Sequence, residues 1–216
     1  MARVLLLFAH PALEGSRVHR RLLREVPGGV TVHDLYDAYP DFDIDVPREQ
    51  ALLSAHDVLV VRHPFYWYSV PPLLKQWIDL VLEHGWAYGS GGDALRGKWV
   101  VPVVSTGGGA EAYAPTGRNR FTMRQLMAPL DQTFTLCQMG FAAPFVVHGA
   151  HRLTPADIDA HAPAYRRLLD ALRDDALDLD DARTAETLNP AVDALRRASA
   201  IAEIRDAAPL VSTPSP

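Results

Sequence analysis

The chain has 216 residues, 48% of them hydrophobic and 22% charged, which are the proportions of an ordinary globular protein of about one large domain. Its formal net charge of −5 offers no basic field for nucleic acid or for an anionic membrane surface. A single cysteine, Cys137, excludes an internal disulfide and a multi-cysteine metal site, and it fits a reducing compartment.

The first segment, Arg3 to Ala9, is apolar on both faces, as a parallel strand covered by helices on both sides must be. It is too short for a secretory signal and lacks a small-residue cleavage site, so it reads as a strand. No run approaches the ~20 apolar residues of a membrane span, and a cytoplasmic protein is expected. The loop His10 to Gly15 enters a helix with Ser16 as N-cap and Val18, Leu22, Leu23 and Val26 on its core side. Ser16, the first-turn N–H groups and the imidazoles of His10 and His19 crowd this entry. They read equally as a phosphate cradle or as a plain cap beside solvated histidines. No G-x-x-x-x-G-K-[ST] occurs, so a nucleotide-hydrolysing P-loop has no support.

Strand two, Val30 to Leu35, follows Gly28-Gly29, and Tyr36 to Val46 reads as an ordered loop before a helix over Pro47 to Ala55. Strand three, Val58 to Val61, runs into His63-Pro64-Phe65-Tyr66-Trp67-Tyr68-Ser69-Val70-Pro71-Pro72. The helix beyond, Pro71 to Glu83, gathers Leu73, Leu74, Trp77, Ile78, Val81 and Leu82 on one face. Four consecutive rings, Phe65 to Tyr68, cannot all hide in a short loop, and a flat cofactor is preferred over a packing cluster as their partner. A glycine-rich segment, Gly85 to Gly92, adds Trp86 and Tyr88. Strand four, Trp99 to Val104, ends in Ser105-Thr106-Gly107-Gly108-Gly109, whose unobstructed backbone N–H groups could donate to a heterocycle.

A long loop, Glu111 to Arg120, carries Tyr113, Arg118 and Asn119, and precedes a helix over Phe121 to Leu130 that Pro129 should end or kink. The apolar surroundings of Cys137 point to a buried, inert thiol. Strand five is Pro144 to His148, and Thr154-Pro155 caps a helix reaching about Asp174. Beyond an acidic stretch, Asn189-Pro190 reads as a cap with proline at the first helical position. Val192, Leu195, Ala198 and Ala202 then form a modest stripe, followed by a proline-rich tail read as disordered.

Strand and helix thus alternate five times, which argues for a parallel sheet with helices on both faces, a three-layer α/β sandwich. Five strands favour the flavodoxin-like order 2-1-3-4-5, with its ligand-binding switch point between strands one and three. The phosphate candidate follows strand one and the ring-rich loop follows strand three. The chain divides on this reading into residues 1–174 and a helical extension, 175–216, ending in the tail.

His10-Pro11, Tyr39-Pro40-Asp41-Phe42, His63-Pro64 with Trp67-Tyr68-Ser69, Pro71 to Lys75, His84 to Gly89 and Thr106 to Gly109 together resemble the flavodoxin-fold NAD(P)H:quinone oxidoreductases. Within these, the similarity is greatest to the cytosolic ancillary subunits of glutathione-regulated potassium efflux systems, over roughly residues 3–172. The resemblance implies FMN, in some members FAD. His10 with Ser16, Arg17, Val18 and His19 would hold the phosphate. Phe65, Tyr66, Trp67 and Tyr68 would flank the ring system, and Ser105, Thr106, Gly107 and Gly108 would meet its polar edge. It also implies two-electron ping-pong hydride transfer from NAD(P)H to a quinone, a homodimer, and no metal. The cytosolic domain of a potassium efflux transporter is the implied partner, which would place the protein peripherally at the inner membrane. The Trp86–Tyr88 loop and the extension after Asp174 are the expected dimer contacts.

Two departures stand out. The phosphate loop of the family ends S-x-x-N, whereas His19 occupies the last position here. Mammalian-type members pair a Tyr with a His six residues later; here Tyr113 is followed by Asn119, and a neutral amide cannot deliver a proton as an imidazolium can. Tyr113 or water would then serve the acceptor. A regulatory subunit with secondary reductase activity, and a flavodoxin-like electron carrier without its own substrate, are the alternative functions.

Overall fold

The computed structural model describes residues 1–194. Three strands make the centre of the sheet: β1 (Val4–Phe8), β3 (Val58–Pro64) and β4 (Trp99–Ser105), the first two buried along their whole length and β4 beyond Trp99. With β2 (Val30–Asp34) outside β1, all pairs are parallel, and Leu6 lies opposite both Val32 and Val60. The order is β2-β1-β3-β4 followed by the outer strands, as the alternation of elements implied. Side chains alternate across the pleat into two cores. Leu5, Leu7, Leu59, Val61 and Val104 meet α3 (Val46–Ala55), α4 (Pro72–Val81) and α6 (Ala128–Leu136). Val4, Leu6, Val60, Val101 and Val103 meet α1 (Arg17–Leu23) and α7 (Pro155–Arg173).

The fifth strand is in two pieces. β5 (Gly140–Phe141) pairs with Trp99 and Val100, and β6 (Phe145–Val147) pairs with Val103 to Ser105. Between them Pro144 has no N–H to donate, and the Ala143 amide turns away to the Ala182 carbonyl. Three further elements differ from the expected ones. Asp34 caps a four-residue helix, α2 (Leu35–Ala38), where a loop was expected, accepting from the Tyr36 and Asp37 amides. Residues 121–136 form α5 (Met123–Leu126) and then α6, and Pro129 stands in the first turn of α6 instead of ending the helix before it. Proline is tolerated there because first-turn N–H groups have no intrahelical partner.

Beyond α7 the chain returns to the sheet through α8 (Leu179–Ala182). Leu188 and Val192 are fully buried against the α7 side of the core. Residues 189–194 are helical, as Asn189-Pro190 implied, but the Asn189 side chain does not cap that helix and engages the free edge of β6: its Oδ1 accepts from Val146 N at 2.9 Å and its Nδ2 donates to Val146 O at 3.0 Å. The side-chain amide mimics a neighbouring strand and closes an edge that could otherwise pair with another chain. The stripe positions Leu195, Ala198 and Ala202, and the tail, lie outside the described residues. Among the described residues no helix is long and apolar enough to cross a membrane.

Cys137 is buried, and desolvation pushes its thiol up to about 11. Iodoacetamide at pH 8 is expected to label the folded protein more than ~10-fold more slowly than the protein in urea, since the thiolate is the reactive form. Equal rates would show that α6 opens readily.

Candidate functional site

The loops after β1, β3 and β4 converge at one edge of the sheet, with the loop after β6 beside them, around a cavity of about 670 Å³. That volume lies within the ~300–1,000 Å³ of small-molecule sites. The first wall is built by a turn, Leu13 to Gly15, that delivers Ser16 to cap α1; Ser16 Oγ accepts from His19 N at 3.2 Å. The cap uses one first-turn donor and leaves the Arg17 and Val18 amides unused. His10 is 7% exposed and its Nδ1 accepts from Ala12 N at 3.1 Å, which puts the ring proton on Nε2. Burial, and then the Arg62 charge, lower its pKa, so near pH 7 it is an uncharged donor.

His19 does not line the cavity. It is 2% exposed, and its Nε2 lies 2.8 Å from Ser105 Oγ, tying α1 to the end of β4 from behind. Burial and the nearby Arg62, His10 and His63 hold its pKa well below the ordinary range. The expected phosphate donor is therefore a strut in this arrangement. Its size explains the difference: an imidazole at this position reaches the sheet, where a short side chain would remain at the loop.

The second wall is the ring-rich loop. Phe65 is buried, and its N–H donates to Ser105 O at 2.8 Å. Tyr66 and Ser69 close a tight turn through Ser69 N to Tyr66 O at 2.9 Å, with Trp67 and Tyr68 at φ 48° and 63°. Left-handed values at both central residues are the type I′ pattern, which favours Asn and Gly. Two aromatic residues there hold strain of ~1–3 kcal/mol each, and such strain concentrates at functional sites. The turn projects Trp67 into solvent, 92% exposed, on the rim of the cavity. Tyr68 faces a second, more apolar hollow of about 370 Å³ between α4 and α6. Trp67→Gly is expected to leave stability unchanged or raise it by up to about 1 kcal/mol, because glycine adopts φ > 0 freely. Thermal unfolding checks this, and a clear loss would mean that the indole packs.

The third wall is the turn after β4. Thr106 O accepts from Ala150 N at 2.8 Å, and Gly108 O accepts from Gly149 N and from Thr106 Oγ1, each at 2.8 Å. Because a trans peptide points its C=O and N–H in opposite directions, these bonds aim the Gly107 and Gly109 N–H groups away from the 149–150 segment. Neither Gly107 nor Gly108 has a positive φ; what they supply is room. A Cβ on Gly107 would lie 3.0 Å from the His151 ring, and one on Gly108 would lie 3.3 Å from the Tyr113 ring.

Tyr113 and Asn119 do not line this cavity, and their side chains have different partners, although the Asn119 N–H donates to the Ala112 carbonyl beside Tyr113. Tyr113 covers Gly108, with its ring 5.4 Å from that of His148. Asn119 Oδ1 accepts from the Tyr68 hydroxyl at 3.3 Å, tying the long loop to the ring-rich turn. Sequence reasoning missed three contributors. Ala150 and His151 line the cavity from the loop after β6, a position that the same strand-end rule identifies. Arg17 donates to both their carbonyls, at 3.3 and 3.2 Å. The third is Arg62, a cation inside the apolar run of β3, which is 0% exposed. Among the described residues no group of three or more His, Cys, Asp or Glu could hold a metal ion.

The chain belongs to the flavodoxin-like fold family, whose model matches residues 2–172. Among its relatives is the glutathione-regulated potassium-efflux system ancillary protein KefG of Pectobacterium carotovorum, 47% identical over 165 residues, which are 76% of this chain and 90% of that protein. Similar solved structures carry different names. One is described as a thermophilic tryptophan halogenase from Streptomycin violaceusniger (42% identity, TM-score 0.73, 76% of this chain and 96% of that one). Another is general stress protein 14 of Treponema denticola in complex with FMN (38%, 0.75, 79% and 99%). A third is an NADPH-quinone reductase of P. pentosaceus (32%, 0.70, 77% and 97%).

Proposed function

We propose that this chain is a flavin-dependent NAD(P)H:quinone oxidoreductase that binds FMN in the 670 Å³ cavity. The observation that carries the reading is the meeting of three sequence-distant loops there: unused amides and a neutral His10 at one end, a strained aromatic turn on one side, and a glycine turn with aimed N–H groups. The FMN-bound and quinone-reductase neighbours support the same choice. Bound there, the flavin supplies two-electron hydride acceptance and donation.

The Arg17 and Val18 amides, the Ser16 cap and His10 Nε2–H would meet the phosphate, and His19 would brace them through Ser105. Phe65, Tyr66 and Trp67 would flank the ring system, with Tyr68 held behind them by Asn119. Ser105, Thr106, Gly107 and Gly108 would meet its polar edge, where fixed backbone donors favour developing negative charge. Tyr113 would add a hydroxyl from the covering loop. NAD(P)H and a quinone would occupy the same space by turns, and a second copy of the chain would complete a homodimer.

The test is the absorption spectrum of the purified protein, alone and with added FMN, followed by bleaching with NADPH or NADH and recovery with a quinone. A colourless protein that takes up no FMN ends this reading. Bleaching without multiple turnover on a quinone would favour the electron carrier. The 47% identity to KefG favours a second role, as an ancillary subunit acting at a potassium efflux transporter. Co-purification with the transporter's cytosolic domain, using flavin-loaded and flavin-free protein, separates that role from catalysis.

A further inference from the structure

Arg62 is completely buried in the middle of β3, and among the described residues no carboxylate pairs with it. The guanidinium is sandwiched between two rings, its carbon 5.0 Å from the centroids of both Phe8 and Tyr165. One terminal nitrogen donates to the His19 carbonyl and the other to Tyr165 Oη at 3.3 Å, while Nε has no partner. An arginine stays charged in proteins, and burying a charge without an opposite one is expensive. The ring faces recover part of that cost, and the one carboxylate among the described residues whose charge favours the guanidinium, Asp34, forms no ion pair with it, so the charge is only partly compensated there.

Its position indicates what would compensate it. The His19 carbonyl belongs to the first turn of α1, directly behind the cavity wall formed by Ser16, Arg17 and Val18. The ring of Phe8, on which Arg62 stacks, is 6.4 Å from that of His10, which lines the same end. The other candidate charges there are weak or absent. His10 and His19 are buried and held neutral. Arg17 is exposed, so salt screens it, and one of its terminal nitrogens, Nη2, is turned to the Ala150 and His151 carbonyls. α1 has seven residues, too short for its dipole to do this alone.

We propose that Arg62 is a positioning residue for the anion: a permanent, unscreened cation behind the cradle that makes this end of the cavity select a phosphate group. The proposal rests on the flavin reading above and adds to it the origin of the preference for the phosphorylated cofactor. It concerns binding, and the guanidinium does not touch the ligand.

The measurement is the ratio of riboflavin to FMN dissociation constants, by fluorescence quenching, for the wild type, Arg62→Gln and Arg62→Lys. Gln keeps a donor for the His19 carbonyl and removes the charge; Lys keeps the charge and removes the fork. The wild type should prefer FMN, and Arg62→Gln should lose about tenfold to a hundredfold of that preference with riboflavin affinity little changed. Arg62→Lys should retain most of it. The loss should persist in high salt, where any Arg17 contribution fades. Equal weakening of both flavins in Arg62→Gln, or an unchanged ratio, assigns Arg62 to the packing of β3 against α1 and α7 and overturns the proposal. Should Arg62→Gln not fold, Arg62→Lys decides, because a retained FMN preference needs the charge alone and a lost one refutes it. If the wild type takes up neither flavin, the oxidoreductase reading fails by itself. Inorganic phosphate then tests the charge: it should raise the melting temperature of the wild type, and no rise overturns the proposal.

Discussion

Replacing Glu49 by alanine is expected to remove about 3–5 kcal/mol of folding stability, the usual cost of breaking a buried charged network. Glu49 is 1% exposed. Its Oε1 accepts from His33 Nε2 at 2.8 Å and from Tyr39 Oη at 2.5 Å, and its Oε2 accepts from Trp77 Nε1 at 2.8 Å. Those donors come from β2, from the segment after α2 and from α4, so one carboxylate on α3 joins four parts of the chain. Alanine would leave three buried donors without an acceptor, and each unsatisfied group costs ~1–3 kcal/mol. Glutamine is expected to cost less, although its amide nitrogen would face at least one of those donors.

The same group gives a pH signature. Burial alone would raise the Glu49 pKa, but the donations from His33, Tyr39 and Trp77 outweigh it and hold the value below the ordinary 4.5. A carboxylate with a depressed folded pKa stabilises the protein fully above its unfolded value and ceases to do so as pH falls through the folded one. Wild-type stability from Glu49 is therefore constant near neutrality and lost below about pH 4.5. Urea midpoints measured at pH 7 and pH 3.5 should converge between the wild type and Glu49→Gln. Parallel decline of the two would remove Glu49 from the account. The Tyr39-Pro40-Asp41-Phe42 block that helped to mark the family thus has a structural use, since Tyr39 holds α3 through Glu49.

The sheet was legible because β1, β3 and β4 are buried on both faces, so their sequences are continuous apolar runs that no competing period disguises. Ser16 and Thr154 were legible as caps because they stand directly before helical patterns, and both accept the expected amide. What failed was local in one group of cases and tertiary in another. α2 is a single turn, too short to show a period, although Asp34 was a readable cap. Pro129 fits either side of a helix boundary, and only the break after α5 decides between them. Asn189 had two chemically sensible partners, a helix end or a strand edge, and the choice depends on where β6 lies.

The site followed the same division. Sheet topology alone brings three strand ends to one edge, so the convergence of His10, Phe65 and Ser105 could be read from order. Side-chain direction could not. His19 points inward to Ser105, Tyr68 faces a different hollow, and the Asn119 side chain accepts from Tyr68. Arg62 was visible as an anomaly, a cation within a buried strand, but the rings that host it lie 54 positions before and 103 after it in the chain.

On the proposed oxidoreductase function, Tyr113→Phe is expected to lower kcat for quinone reduction about 10²-fold, the loss that follows removal of one preorganised donor, while FMN affinity stays near that of the wild type. The geometry separates the two quantities. Tyr113 covers Gly108 and does not line the cavity, so its hydroxyl contributes little to holding a cofactor. That hydroxyl is 3.6 Å from where a Cβ on Gly108 would stand, beside the glycine turn that carries the aimed N–H groups. Phenylalanine preserves the ring contact with His148, so the loop should keep its place. Asn119→Ala is the contrasting case: Asn119 holds Tyr68 and not the chemistry, so kcat should change by about threefold or less, with the main effect on KM for the acceptor. If both variants lose activity equally, the covering loop acts as one positioned unit and the Tyr113 hydroxyl has no separate part. If Tyr113→Phe turns over like the wild type, charge on the reacting ring is met by the backbone donors alone, and proton delivery to the quinone falls to water.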